Sequence, residues 1–80
     1  MFEWVETLYA RVRGLMPLEQ RASLDSALEH GGYGAVFGDS LVVAARNQVL
    51  TGADKAMAEK VLDFGLLRKA KPYFMELMAG

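Results

Sequence analysis

The sequence predicts an all-α fold: one compact single domain of four to five short helices that occupies residues 1–80. Leucine, alanine and methionine are abundant and isoleucine is missing, a composition that favours helix over sheet. Apolar residues also recur at helical spacing along several segments, so that each segment has one apolar face. Eighty residues are enough for one domain at most, and no second unit is expected.

The first helix is predicted over residues 2–15. Its acidic residues come early and Arg11 and Arg13 come late, which suits the helix dipole. Gly14 stands shortly before a proline, where the helix is expected to end. The apolar face of this helix carries Phe2, Val5, Leu8, Tyr9, Val12, Leu15 and Met16.

The second helix is predicted over residues 17–30 and is more polar than the first. Pro17 fits its first position, because the N–H that proline lacks has no partner there. His30 followed by Gly31 is typical of a helix end, where a basic residue and then a glycine are common.

Residues 31–40 hold four of the eight glycines, which predicts a turn between the two halves of the chain. Two interpretations of this stretch are open. In the first, residues 35–37 and 41–43 are short strands, because β-branched and aromatic side chains favour them. The fold class would then be α+β, with a small hairpin at 35–43.

In the second interpretation, Asp39 or Ser40 caps a helix that runs to Leu50. We prefer this helix because residues 44–48 show no strand alternation. A lone hairpin would also need more sheet than this chain supplies.

The fourth helix is predicted from about residue 52 to residue 70. Thr51 and Asp54 match the spacing of a capping box, with aspartate where glutamate is usual. Pro72 is expected to break or restart the helix, so a last turn or two follows, as far as Met78.

The sequence offers few residues for catalysis. It has no cysteine, and its single histidine, His30, has no carboxylates at metal-ligand spacing. Gly32, Gly34 and Gly38 are spaced loosely like a dinucleotide-binding motif, but that motif works only between a strand and a helix of a parallel sheet. We therefore expect no enzymatic activity, no cofactor and no bound metal.

The charge balance argues against nucleic acid as a partner. Nine basic and ten acidic residues leave a net charge of −1. The alternative function is a helix-turn-helix-like DNA-binding transcriptional regulator, built from residues 41–64 with Thr51–Ala53 as the turn. Charges cancel across its reading helix at 54–69, and phosphate contacts normally supply much of the affinity.

Nothing in the sequence points to a membrane or to export. The longest apolar run, residues 41–45, is far shorter than the ~20 residues of a membrane span. Residues 1–6 are acidic where a signal peptide is basic. We expect a soluble, cytoplasmic protein with no membrane partner.

The apolar content predicts a protein–protein interaction protein. Apolar residues make up 52% of the chain, with four Phe, three Tyr, one Trp and five Met. A domain this small buries only about 60% of its unfolded surface, so part of that content is expected to be covered by another chain. We expect a homodimer that binds and regulates or inhibits a larger protein. Small accessory or mobile-element-encoded inhibitors have this make-up.

Two groups of residues are predicted to bind the partner. Aromatic residues and methionines near both ends of the chain suit a partner surface. A basic cluster before the last aromatic residues could bind an acidic surface. Together these residues are Phe2, Trp4, Arg68, Lys69, Lys71, Tyr73, Phe74, Met75 and Met78.

Overall fold

A computed structural model describes residues 2–79, leaving out the side chains of Phe2 and Leu66. The described residues form five α-helices and no strand, which confirms the all-α prediction and the preference for a helix over a hairpin at 35–43. In chain order the helices are α1 (Phe2–Val12), α2 (Leu18–Glu29), α3 (Tyr33–Arg46), α4 (Gly52–Leu62) and α5 (Lys71–Ala79). Two 3-10 segments, Arg13–Leu15 and Gly65–Ala70, extend the connections. None of the helices in the described part of the chain is long and apolar enough to cross a membrane.

The core forms chiefly where α1 packs against α3, the most extensive contact between two helices. α1 buries most of the apolar face predicted for it, but Leu15 is 53% exposed. The predicted end at residue 15 is wrong, because α1 ends at Val12 and residues 13–15 form a 3-10 segment. Each fully buried apolar side chain contributes about 1.5–3 kcal/mol relative to an exposed one. The buried apolar residues are Val5, Leu8, Tyr9, Val12, Met16, Leu24, Val36, Phe37, Leu41, Ala44, Ala58, Val61, Leu62, Phe74 and Met78.

A polar cluster fixes α2 to the end of α1. The Tyr9 hydroxyl donates to the Asp25 carboxylate at 2.6 Å and lies 3.0 Å from the carbonyl oxygen of Arg21. Arg13 donates to both oxygens of Asp25, at 3.0 and 2.6 Å. The hydrogen bonds from Arg13 and then Tyr9 lower the pKa of Asp25 to about 2. Asp25 is therefore charged at neutral pH and links the two helices.

The glycine-rich stretch is mostly helical. The prediction of a helix from Asp39 or Ser40 to Leu50 is wrong at both ends, because α3 begins at Tyr33, includes Gly34 and Gly38, and ends at Arg46. Burial explains the earlier start. This stretch also supplies core residues that pack on α1, and their burial outweighs the ~1 kcal/mol by which each glycine disfavours a helix.

The turn between α2 and α3 needs only two of the glycines. Gly31 has φ +77°, a left-handed conformation that disfavours other residues, and it ends α2 as predicted. Gly32 packs closely on the preceding helix: a Cβ there would lie 3.1 Å from the carbonyl oxygen of Ala27. Both positions therefore have a structural reason to be glycine.

The capping box at the start of α4 is confirmed. The Thr51 hydroxyl accepts the Asp54 N–H at 3.1 Å, and the Asp54 carboxylate accepts the Thr51 N–H at 2.9 Å. The prediction that this helix continues to residue 70 is wrong, because α4 ends at Leu62. The chain is extended at Phe64 and left-handed at Gly65, with φ +55°, where the second 3-10 segment begins. A left-handed residue cannot continue a right-handed helix.

The last helix, α5, is longer than the one or two turns predicted. Pro72 is its second residue, a position that tolerates the missing N–H. At its start, Lys71 pairs with Asp63 at the end of α4. At its other end, Met78 lies near Lys55 in the first half of α4, as shown by the two pockets that both residues line. The two helices therefore run side by side in opposite directions.

Candidate interaction surface

Two adjoining pockets form a groove along α4 and α5, called here the α4–α5 groove. The larger has a volume of about 360 Å³ and is lined by Lys55, Ala56, Glu59, Met75, Met78 and Ala79. The smaller, of about 160 Å³, is lined by Ala45, Gln48, Leu50, Lys55, Leu77 and Met78. Lys55 and Met78 line both pockets, so the two pockets adjoin.

One wall of the groove, α4, is fixed by the buried carboxylate of Asp54. Its residue is only 4% exposed, yet the carboxylate accepts hydrogen bonds from three residues. Trp4 Nε1 lies 3.1 Å from Oδ1, Arg11 Nη1 lies 2.5 Å from Oδ2, and the Thr51 N–H completes the set. The beginning of α4 is thereby tied to α1.

Asp54 remains charged in this position. Burial by itself raises the pKa of a carboxyl, but the hydrogen bonds from Arg11, Thr51 and Trp4 outweigh burial and hold the pKa of Asp54 well below its usual range. The guanidinium of Arg11 supplies the opposite charge and also donates to the carbonyl oxygen of Val49 at 3.3 Å. A buried carboxylate needs such pairing, because an unpaired buried charge is strongly destabilising.

The other wall, α5, is fixed by aromatic packing. The ring of Phe37 lies between two others, with its centroid 6.0 Å from that of Trp4 and 5.9 Å from that of Phe74. Tilted rings at these separations are favourable beyond the area they bury. Phe74 and Met78 are buried together, so the floor of the groove belongs to the core.

The larger pocket of the groove is mainly apolar and the smaller one mainly polar, and α4 adds two charges, Lys55 and Glu59. Met75 and Leu77 are half-buried, and the flexible thioether of methionine adapts to irregular partners. Lys55 forms no ion pair with any residue that the structure describes. Glu59 has a single long contact, 4.0 Å from Lys71 Nζ. The groove therefore presents an apolar strip beside one cation and one anion.

The residues predicted from the sequence to bind a partner do not form one surface. Trp4 is half-buried, and its indole N–H is used by Asp54. Phe74 and Met78 lie in the core. Met75 lies in the groove with Met78. The side chain of Phe2 lies outside the described residues.

The predicted basic cluster occupies a different place. Arg68 and Lys69 are exposed on the second 3-10 segment and make no ion pair with the described residues. Lys71 pairs with Asp63 at 2.5 Å. Tyr73 is 56% exposed, although its ring centroid lies 5.1 Å from that of Phe74, with the two rings nearly perpendicular.

Of the residues that line the groove, the sequence prediction contains only Met75 and Met78; the lining residues of α4, which are Lys55, Ala56 and Glu59, are missing from it. The sequence does show that they lie off the apolar side of α4. It does not show that this exposed face differs from any other exposed helix face. Only the approach of α5 makes this face a wall of a groove. Other exposed apolar side chains, Leu15, Leu18 and Phe64, lie at the connections between helices and line neither of these pockets.

The described residues contain no group of three or more His, Cys, Asp and Glu side chains that could hold a metal ion. His30 is exposed at the end of α2, with Nδ1 2.7 Å from the carbonyl oxygen of Ser26. No protein-family model matches the chain, and no curated protein or solved structure matches it. Function is therefore inferred from the surface itself.

Proposed function

We propose that this chain is a non-enzymatic protein–protein interaction protein that self-associates and binds a larger protein to regulate or inhibit it. The observation that supports this function best is the α4–α5 groove, a concave surface whose larger pocket, between α4 and α5, is mainly apolar. Grooves of this kind receive the apolar face of a helix from another chain. Met75, the more accessible of its two methionines, is of a residue type enriched at interfaces.

The exposed apolar side chains support self-association. Leu18 is 73% exposed and Phe64 is 60% exposed, in addition to the residues of the groove. A two-fold dimer removes such surface from water, and it is the commonest oligomer of soluble proteins.

The size of the chain suits the binding of a larger protein. Its accessible surface is 5034 Å². A standard interface takes ~800 Å² from each partner, roughly a sixth of this surface. The chain can therefore hold one interface with its own copy and a second with a different protein.

The first test is the mass of the protein in solution. Sedimentation equilibrium and light scattering at about 10–100 µM should give about twice the chain mass of 8.8 kDa. Dilution should shift the mass toward that of the monomer. A protein that is monomeric over the whole range would contradict the proposed self-association.

A further inference from the structure

We propose that a second copy of this chain occupies the α4–α5 groove, with the two α4 helices packed antiparallel across a two-fold axis. Lys55 of each copy then pairs with Glu59 of the partner subunit. This inference rests on the proposed self-association and specifies its surface.

The spacing of the two charges fits a two-fold arrangement. In a two-fold interface, if one residue contacts a second residue across the axis, the second contacts the first in the same way. Lys55 and Glu59 are one turn apart on α4, about 6 Å along the helix axis. When two antiparallel copies cross midway between these residues, each lysine lies opposite a glutamate. Both ion pairs then form together.

Neither charge has a strong partner within the chain. Lys55 pairs with none of the described residues, and Glu59 is 4.0 Å from Lys71 Nζ. The side chain of Glu59 is 52% exposed. Both groups are therefore accessible for an ion pair between copies.

The shape of the surface permits a close approach. Ala56 is exposed beside the two charges and projects only a methyl group, so a second helix can come near the α4 backbone. Packed helices lie about 8–10 Å apart, and small residues allow the lower value. Met75 on α5, which is half-buried, then supplies apolar contact along the edge of the pair.

The two signs of charge distinguish a second copy from a charged peptide. An acidic peptide would pair with Lys55 but would place its carboxylates beside Glu59. A basic peptide would meet the opposite problem. Like charges in contact across an interface cost several kcal/mol, which makes each of these partners poorer than a surface that carries both signs at the same spacing.

Charge reversal tests the arrangement directly. Lys55→Glu places two glutamates on each copy, and Glu59→Lys places two lysines, so each variant alone should dissociate. The dissociation constant of the dimer should rise at least ~10-fold in each case. An equimolar mixture of the two variants restores opposite charges at every contact and should form a heterodimer. The double variant K55E/E59K should form a homodimer for the same reason.

Two matched controls make the same kinds of substitution, lysine to glutamate and glutamate to lysine, at positions outside the groove. Lys60→Glu lies on the same helix and Glu76→Lys lies on α5; both residues are exposed and line neither pocket of the groove. Each control should leave the dissociation constant within about 3-fold of the wild-type value. Circular dichroism of every variant establishes that it is folded before its mass is measured by sedimentation.

The possible outcomes separate this inference from the proposed function. A wild-type monomer at all concentrations contradicts both. A wild-type dimer that persists in folded K55E and E59K leaves self-association intact and overturns the assignment of the groove. Two monomeric variants whose mixture stays monomeric also overturn the antiparallel pairing. Dissociation of each variant and dimerisation of their mixture support it.

Discussion

Replacement of Asp54 by alanine should remove a large share of the stability of this fold. The change removes the carboxylate that completes the capping box of α4 and that joins this helix to α1 through Trp4 and Arg11. Loss of the capping-box hydrogen bond from the Thr51 N–H costs about 0.5–1.5 kcal/mol, while the Thr51 hydroxyl still caps the helix. Loss of hydrogen bonds to a charged, largely buried acceptor adds about 1.5–3 kcal/mol, reduced where water can reach the freed donors.

The total expected loss for Asp54→Ala is about 2–4 kcal/mol, against the roughly 5 kcal/mol that a domain of this size retains. Urea unfolding followed by circular dichroism gives the free energy of unfolding directly. Wild type and variant are compared at one protein concentration, since the proposed dimerisation would make stability depend on concentration. Asp54→Asn keeps an oxygen acceptor, so its free energy of unfolding should lie between those of the wild type and of Asp54→Ala.

Asp63→Asn is the matched control, because it also breaks an ion pair. The partner of Asp63 is Lys71, and the Asp63 side chain is half exposed. The expected loss for this exposed pair is about 0–1 kcal/mol. A loss below about 0.5 kcal/mol for Asp54→Ala, or an equal loss for both variants, would refute the role given to the buried carboxylate.

The remaining predictions concern pH, the glycines and the aromatic residues of α5. The folded-state pKa of Asp54 is depressed, so its contribution to stability should be complete above about pH 4 and lost as pH falls further; Asp54→Asn should flatten this part of the profile of unfolding free energy against pH. Gly31→Ala should destabilise the protein by about 1–2 kcal/mol because its φ is positive. Gly38→Ala should stabilise it by roughly 0.5–1 kcal/mol, because Gly38 lies inside α3 and a Cβ there meets only Phe74, at 3.7 Å; equal effects at both glycines in thermal unfolding would contradict this contrast. Phe74→Asp should abolish the cooperative unfolding transition because it places a charge in the core, whereas Tyr73→Asp should remain folded by circular dichroism.

The sequence by itself determined the fold class and several of the helix boundaries. The apolar face of α1 follows from helical periodicity, and that face is buried from Val5 to Val12. The end of α2 at Gly31 and the start of α4 at Thr51 follow from local chemistry, because a left-handed glycine and a capping box each act within a few residues. Because these interactions join residues only a few positions apart, a short stretch of sequence is enough to predict them.

Tertiary packing decided the course of the glycine-rich stretch. Local propensity favours a turn there, since Gly34 and Gly38 disfavour a helix. The neighbouring core residues gain more from burial against α1 than these glycines lose, so α3 begins at Tyr33. At α4 the opposite happens: the sequence pattern favours a helix past Leu62, but the folded chain leaves the helix there. The left-handed conformation of Gly65 prevents the helix from continuing.

Tertiary structure also decided which side chains are available to a partner. Tyr73 and Phe74 are adjacent and both aromatic, yet one is largely exposed and the other is buried against Phe37. The sequence around Asp54 indicates only a capping box, but in the fold its carboxylate also accepts a hydrogen bond from Trp4, fifty residues away. The α4–α5 groove likewise exists only because two helices meet at a particular rotation. Such outcomes depend on contacts between distant segments, which local spacing does not specify.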